Sequence, residues 1–265
     1  MIERRPIFPG IIELNFQARE VLGCNVYLVY DADEWALIDI GYEETVDEFV
    51  ELIRKLDFPF AKCKTLIATH ADVDHIQGLA RLKSLLKTTV TAHPHAVRPL
   101  AEGDTLWTLA EIEAQDLKLP MPSVDVEHQV NDGDVIQIGK MELEVWHTPG
   151  HTNSQLAFRA GDVLLSGDNI YRDGCIGAID AHHGSDIKAF ISSLKRIRDS
   201  DVRWLAPSHG PMFAKDAVMI DRTIERLNGY LQMADFGTLA ESWPLMDQWD
   251  EEVAQSILPD GLVRP

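Results

Sequence analysis

Residues 69–78, with the sequence THADVDHIQG, concentrate four metal-ligating side chains within six positions. The preceding residues KTLIA (64–68) are mostly apolar and predict a short buried strand. Because residues i, i+2 and i+4 of an extended segment project to one side, His70, Asp72 and Asp74 can converge, and His75 opens the next predicted helix. Imidazole and carboxylate groups bind divalent metal ions. The segment therefore predicts a metal site. The alternative is a polar loop with a capping aspartate and incidental histidines.

Three later segments each place another metal-ligating residue where a predicted strand ends. HTPGHTNSQ (147–155) places His151 in a glycine-bounded turn, and LLSGDNIY (164–171) places Asp168 directly after an apolar strand, where a carboxylate has no packing role. LAPSHG (205–210) places His209 after another apolar strand. Four strand ends of the same kind predict one shared site.

Taken in order, these four motifs resemble those of the metallo-β-lactamase superfamily, whose usual signature is HxHxDH, a GH turn, an aspartate and a final histidine. The resemblance covers roughly residues 10 to 215, and LIDIG (37–41) is similar to the family's strand that leads to a buried aspartate. It implies that Asp39 supports the site by hydrogen bonding and that two metal ions are bound. The implied ligands are His70, Asp72 and His151 for the first ion, Asp74, His75 and His209 for the second, and Asp168 as a bridge.

Asp72 departs from the family pattern, because it stands where the second histidine is usual. A carboxylate is shorter, anionic and harder than imidazole, so it shifts the preference of the first site from zinc towards iron or manganese. The change resembles the di-iron branch of the superfamily, the flavodiiron oxidoreductases, which carry glutamate there. We expect two divalent ions, with zinc favoured and iron or manganese as alternatives. No GxGxxG or P-loop motif supports an organic nucleotide cofactor.

The order of predicted elements indicates an α/β (α+β) fold, an αββα sandwich of the metallo-β-lactamase type. Strands are followed by helices twice over, with no linker between the two blocks, which suits two sheets packed face to face with helices outside. Residues 1–265 are therefore predicted to form a single domain, with a short C-terminal helical appendage from about residue 236.

Composition limits the partners and the compartment. The net charge of −19 repels nucleic acid and anionic membranes. No apolar run of about 18 residues or secretory signal is present, and the three cysteines form no disulfide framework, so a cytoplasmic location is expected. We expect a small-molecule substrate, no nucleic acid and no membrane. Trp243 and Trp249 could contribute to a homo-oligomer interface.

The expected function is hydrolysis of a small ester, lactone or thioester by a hydroxide held between two ions, with Asp74 as the catalytic residue that orients the nucleophile. The alternatives are a di-iron redox or oxygen-activating enzyme and a non-catalytic, metal-stabilised binding module. The 56 residues after His209 are acidic overall, which argues against glutathione thioesters.

Several residues outside the motifs are candidates for contacts with a substrate. They lie in the predicted loop 171–186 and are Tyr171, Arg172, His182 and His183. Loop 94–124 is expected to cover another side of the pocket. His93 and His95 are interpreted as surface or helix-capping residues, and His128 and His147 as structural residues.

Overall fold

Two β-sheets form the centre of the computed structural model, which describes residues 3–15, 23–32, 34–113, 116–180 and 183–232. The first sheet has seven strands. The same part of the chain also forms a separate two-stranded hairpin, between the sixth and seventh strands of that sheet in sequence. The strands of this half are β1 (Glu3–Phe8), β2 (Ile11–Asn15), β3 (Val26–Tyr30), β4 (Trp35–Ile38), β5 (Cys63–Ile67), β6 (Thr89–Ala92), the hairpin strands β7 (Glu111–Ile112) and β8 (Leu117–Lys118), and β9 (His128–Gln129).

The second sheet has six strands in chain order. They are β10 (Val135–Ile138), β11 (Met141–His147), β12 (Leu156–Ala160), β13 (Val163–Gly167), β14 (Trp204–Pro207) and β15 (Phe213–Ala214). Neighbouring strands are antiparallel except β13 and β14, which are parallel. A parallel pair needs a crossover, and helix α5 (Ile187–Asp199) lies in the connection between them.

The remaining helices lie between strands or at the end of the described chain. They are α1 (Val46–Lys55), α2 (Val73–Ile76), α3 (Leu79–Leu86), α4 (Pro94–Glu102) and α6 (Ala217–Gln232). Helix α1 buries Val46, Phe49, Leu52 and Ile53, which recur at helical spacing and face the first sheet. Asp186 is the N-cap of helix α5, and its carboxylate accepts a hydrogen bond from the Ala189 N–H at 2.8 Å.

Three apolar layers hold the sheets and helices together. The middle layer joins alternate residues of the two sheets, such as Val29 and Ile38 from the first and Val145 and Phe158 from the second. The outer layers pack α1, α3 and α4 against the first sheet and α5 and α6 against the second. Both faces of each sheet are thus covered, which explains why β13 is buried at every position. This arrangement is the predicted αββα sandwich.

The strand directions bring the predicted metal-ligating residues to one edge of the sandwich. Strands β4, β5 and β6 are parallel, so residues that follow β4 and β5 leave the sheet at the same edge. Backbone hydrogen bonds join the two sheets there: Leu156 N–H donates to Thr69 O at 2.8 Å, and Asn25 N–H donates to Ser208 O at 2.6 Å. A third bond, from the Ser208 N–H to the Gly167 carbonyl oxygen at 3.1 Å, adds the end of β13, so the ends of β5, β13 and β14 lie at the same edge.

The predicted strands and helices named above agree with these elements. Segment 94–124, whose structure the sequence left open, contains helix α4 and the hairpin β7–β8. The predicted appendage from about residue 236, with Trp243 and Trp249, lies outside the described residues. None of the described helices combines the length and apolar character that a membrane span requires.

Candidate metal centre

The structure brings together all seven predicted ligands at the edge shared by the two sheets. We call His70, Asp72, Asp74, His75, His151, Asp168 and His209 the metal centre. On one side, Asp72 Oδ2 lies 3.0 Å from His151 Nε2 and 3.7 Å from His70 Nε2. On the other side, Asp74 Oδ2 lies 3.4 Å from the Nε2 atoms of both His75 and His209. These contacts place His70, Asp72 and His151 on one side and Asp74, His75 and His209 on the other, the grouping that the resemblance implies, and His70 and His75 also lie close to each other between the sides.

Asp168 lies between these two sides. Its Oδ2 atom is 3.8 Å from His151 Nε2, 3.3 Å from His209 Nε2 and 3.7 Å from His75 Nε2. One carboxylate oxygen is therefore within reach of imidazoles on both sides, which is the position expected of a bridging ligand.

The imidazole rings of the centre are held through their Nδ1 atoms. His151 Nδ1 lies 2.6 Å from the Ala178 carbonyl oxygen, and His209 Nδ1 lies 3.3 Å from the Gly23 carbonyl oxygen. A carbonyl oxygen only accepts hydrogen bonds, so each Nδ1 carries a proton, and Nε2 is the atom that can bind an ion once it has lost its own proton. His70 Nδ1 contacts Thr69 Oγ1 at 2.8 Å. This pattern is typical of histidines that bind metal through Nε2.

Buried atoms without hydrogen bonds provide a test of whether an ion fits. The Nε2 atoms of His70, His75 and His151, and the Oδ1 atoms of Asp72 and Asp168, are buried and make no hydrogen bond within the described chain. Leaving such groups unpaired in a folded protein is costly. Ligand atoms in each of three overlapping triplets also lie within 4.8 Å of one another. The donor set therefore fits divalent metal ions.

Electrostatics in the centre are dominated by its three carboxylates. Burial raises the pKa of Asp168, but His209 and His75 outweigh it and hold this pKa well below its ordinary value. Burial lowers the pKa of His209, yet Asp168 and Asp74 raise it to about 10. In the same way Asp72 raises the pKa of His151 to about 9 against the effect of burial. The carboxylates thus attract positive charge, which protons supply in the chain without metal.

Asp39 supports the centre from behind, as expected from the sequence. It is 1% exposed and accepts a hydrogen bond from the Thr69 N–H at 2.8 Å. Its Oδ2 atom lies 2.9 Å from His75 Nδ1 and 3.3 Å from Ser208 Oγ. Asp39 therefore ties together residues next to β4, β5 and β14, all of which border the centre.

Gly177 packs directly against the His151 ring, a contact that the sequence did not indicate. A methyl group placed on Gly177 would lie 2.6 Å from His151 Cγ and 2.8 Å from the Asp168 carbonyl oxygen. The Gly177 N–H also donates to that oxygen at 3.0 Å. The segment after Asp168 thus fixes His151 through both this close approach and the Ala178 carbonyl.

Comparison with known proteins agrees with the fold and the centre. A family profile described as Metallo-beta-lactamase superfamily matches residues 19–209, which include all seven residues of the centre. The chain belongs to the metallo-β-lactamase superfamily. The acyl-coenzyme A thioesterase MBLAC2 of Bos taurus is 28% identical over 193 residues, which cover 65% of this chain and 66% of that protein.

Two further relatives extend this comparison within the superfamily. Hydroxyacylglutathione hydrolase of Rhodopseudomonas palustris (strain HaA2) is 28% identical over 151 residues, or 56% of this chain and 49% of that protein. The crystal structure of TTHA1623 in a di-iron-bound form superimposes with a TM-score of 0.61 at 30% identity, covering 77% of this chain and 94% of that one. The curated relatives named here are hydrolases, and the solved relative was obtained with iron.

Among the predicted substrate residues, Tyr171 and His183 lie at the centre. The Tyr171 ring packs edge-on against His209 with 5.6 Å between centroids. His183 is fully buried, and its Nε2 atom lies 3.4 Å from Asp72 Oδ2. Arg172 has an exposed side chain, and no ion pair or hydrogen bond connects it to the metal centre within the described residues. His182 lies outside the described residues.

A second group of histidines was missed by the sequence interpretation. His93 is 6% exposed and caps α4, as expected, but it also stacks on His147 with ring centroids 4.1 Å apart. His95 lies against His93 with 4.8 Å between ring centroids. Burial, together with His147 and His95, lowers the pKa of His93 to about 4. No local motif joins these residues, because His93 follows a strand of the first sheet, His95 lies in α4 and His147 ends a strand of the second sheet. We call His93, His95 and His147 the histidine triad.

Proposed function

We propose that this protein is a metal-dependent hydrolase whose metal centre holds two divalent ions and cleaves a thioester of a small acyl group. The observation that carries this proposal is the position of Asp168 Oδ2 within 3.8 Å of imidazole Nε2 atoms on both sides of the centre. A single carboxylate placed in this way suits a pair of ions better than one ion.

Each residue of the centre has a role in this proposal. His70, Asp72 and His151 would hold the first ion, Asp74, His75 and His209 would hold the second, and Asp168, which lies between the two sides, would serve both. His151 and His209 bind through Nε2, because their Nδ1 atoms donate to backbone carbonyls. A bound pair of divalent ions supplies an activated water molecule and polarises a carbonyl group.

Other side chains orient the reactants around the centre. Asp74 is 16% exposed, more than Asp72 or Asp168, so its carboxylate faces the accessible side and can orient the attacking water. The Tyr171 ring packs edge-on against His209, so its side chain borders the centre, where its hydroxyl can hold a substrate oxygen. His183 Nε2 lies 3.4 Å from Asp72 Oδ2, on the side of the first ion, and contributes to substrate binding there.

The substrate class rests on the relatives together with the ligand set. MBLAC2 is named as an acyl-coenzyme A thioesterase, and another relative as a hydroxyacylglutathione hydrolase. Both names describe cleavage of a thioester, whose carbonyl carbon is open to attack by activated water. An oxygen ester or lactone presents the same carbonyl group and is therefore the nearest alternative substrate.

The test is a substrate panel with protein reconstituted with zinc, iron or manganese. An acyl-coenzyme A, a glutathione thioester, a lactone and a nitrophenyl ester are assayed with wild type, Asp168→Ala and Asp173→Ala, the last an exposed aspartate of the adjoining loop. We expect the wild-type protein to cleave thioesters. Asp168→Ala should lose both this activity and the two bound ions, whereas Asp173→Ala should keep the activity and the ions. Activity that persists in Asp168→Ala would contradict the proposal.

A di-iron redox enzyme is the second candidate. It is favoured by the carboxylate at position 72 and by the di-iron form of a relative that is 30% identical. Protein purified without added metal distinguishes the two functions. Two irons with a visible absorption band and no hydrolysis of any panel member would favour the redox enzyme.

A further inference from the structure

The histidine triad lies beside the metal centre but belongs to different segments. His93 follows β6 and caps α4, His95 lies in the first turn of α4, and His147 ends β11. One potential ligand nitrogen from each imidazole lies within 4.8 Å of the others. No ring contact or ion pair joins the triad to the seven residues of the metal centre in the part of the chain that the structure describes.

Two imidazoles of the triad converge on one backbone oxygen. His147 Nε2 lies 2.9 Å and His95 Nδ1 lies 3.1 Å from the carbonyl oxygen of Asn153. The site therefore has an oxygen acceptor as well as three nitrogens. The side-chain oxygen of the same residue, Asn153 Oδ1, is also buried and makes no hydrogen bond within the described chain. Asn153 therefore offers a second oxygen atom that needs a partner.

We propose that His93, His95 and His147 bind one divalent transition metal ion of the zinc type, with the Asn153 carbonyl oxygen as the fourth ligand. Bonds of about 2.0–2.1 Å in a tetrahedral site separate neighbouring ligand atoms by about 3.4 Å. The potential ligand nitrogens lie within 4.8 Å of one another, and His93 and His147 reach the required spacing when one ring turns out of their stack, in which the ring planes are 13° apart. Binding of the ion replaces the hydrogen bonds that His95 and His147 donate to Asn153 and ends the one that His93 Nδ1 accepts from the His95 N–H; each ring stays neutral with its single proton on the nitrogen that does not bind.

The ligand chemistry selects the class of ion. Three neutral imidazoles and one carbonyl oxygen suit zinc, nickel or copper, whereas magnesium and calcium prefer oxygen ligands. No carboxylate belongs to the triad, so its site lacks the harder ligands that distinguish the metal centre. The two sites are therefore expected to differ in their metal preference.

The position of this ion links two parts of the fold. Asn153 lies in the connection between β11 and β12 that also carries His151 of the metal centre. An ion held by the triad would fasten this connection to the start of α4, where His93 and His95 lie. Its expected effect is to stabilise the His151 segment, and it requires no part in the hydrolytic reaction.

The test is zinc stoichiometry in wild type, His95→Ala, His147→Ala and His128→Ala, an exposed histidine on β9 that serves as the control. We expect three zinc ions per chain in wild type and His128→Ala, and two in His95→Ala and His147→Ala. Cobalt substitution checks the ligands, because the visible bands of the third ion should disappear in the two triad variants. Equal stoichiometry and spectra in all four proteins would overturn the proposal.

Combining variants separates this site from the metal centre. In an Asp168→Ala background the triad should still bind one zinc ion, and adding His95→Ala should remove it. If wild type binds a single ion that His95→Ala eliminates, the triad site stands and the proposed dinuclear centre falls. If wild type binds two ions that His95→Ala and His147→Ala leave in place, the triad site falls and the centre stands.

Discussion

Asp39 Oδ2 lies 2.9 Å from Nδ1 of His75, and both side chains are almost completely inaccessible to solvent. The residues are far apart in sequence, yet the backbone joins them too, since the Ile40 and Gly41 N–H groups donate to the His75 carbonyl oxygen. Asp39 also adopts a left-handed conformation with φ of 57°. Aspartate and asparagine tolerate this region better than other residues with a side chain. The pair orients His75 so that its Nε2 faces the metal centre.

Asp39→Asn is expected to weaken metal binding while preserving the fold. The amide retains the shape and the left-handed preference, but it removes the negative charge that holds His75 Nδ1–H. Loss of such a partner lowers metal affinity by about 10–100-fold. Competition with a chelator measures the affinity, and circular dichroism checks the fold. Asp57→Asn, at an exposed aspartate with φ of 63°, is the matched control. Unchanged affinity in Asp39→Asn would show that this charge does not matter.

Gly177→Ala is expected to displace His151 from the metal centre. The added methyl would lie 2.6 Å from His151 Cγ, so either the ring or the segment after Asp168 must shift. Overpacking of this kind costs about 1–3 kcal/mol in unfolding free energy. Metal content and denaturant unfolding should both fall. Gly229→Ala in α6, where a methyl meets no atom within 4 Å, should keep the metal and unfold no more easily.

Asp72→His is expected to increase zinc retention. Asp72 lies 3.0 Å from His151 Nε2, and imidazole in its place is a softer ligand that suits zinc better than a carboxylate does. We expect the zinc remaining after dialysis against a chelator to rise and the iron content to fall, as measured by elemental analysis. Asp72→Ala, which removes the ligand, should lose zinc. If metal content is the same in wild type and both variants, Asp72 is not a ligand.

The stabilisation that metal gives the fold is expected to increase with pH. In the metal-free chain the pKa values of His151 and His209 are raised to about 9 and 10. Protonation of these two histidines stabilises the metal-free fold. This stabilisation is fully present at pH values below the pKa of unfolded histidine, about 6.5, and it is lost as the pH rises through the pKa values of the folded state. A bound ion must displace these protons, so its affinity rises over the same range.

Thermal unfolding with zinc and with excess chelator, measured from pH 6.5 to 9, checks this expectation. The difference in Tm between the two conditions should widen as pH rises. Asp168→Ala, which lacks the bridging carboxylate, should show a small difference that varies little with pH. A wild-type difference that stays constant would contradict the linkage between protons and metal.

The sequence by itself predicted which side chains could bind metal and placed them at strand ends. Period-two alternation and the apolar strands before His70, Asp168 and His209 are local properties, so they can be recognised without coordinates. The αββα arrangement followed from the order of the same local elements. The substitution of aspartate at position 72 is likewise visible in the sequence and already changes the expected metal preference.

Only the tertiary structure decided which residues are neighbours across the fold. The Asp39–His75 pair, the approach of Gly177 to His151, and the stacking of His93 on His147 join segments that no motif connects. Such contacts depend on strand register and on how the two sheets pack, and both are set by the whole core. Residue type and local spacing thus predicted which side chains could bind metal, whereas packing determined how they are held.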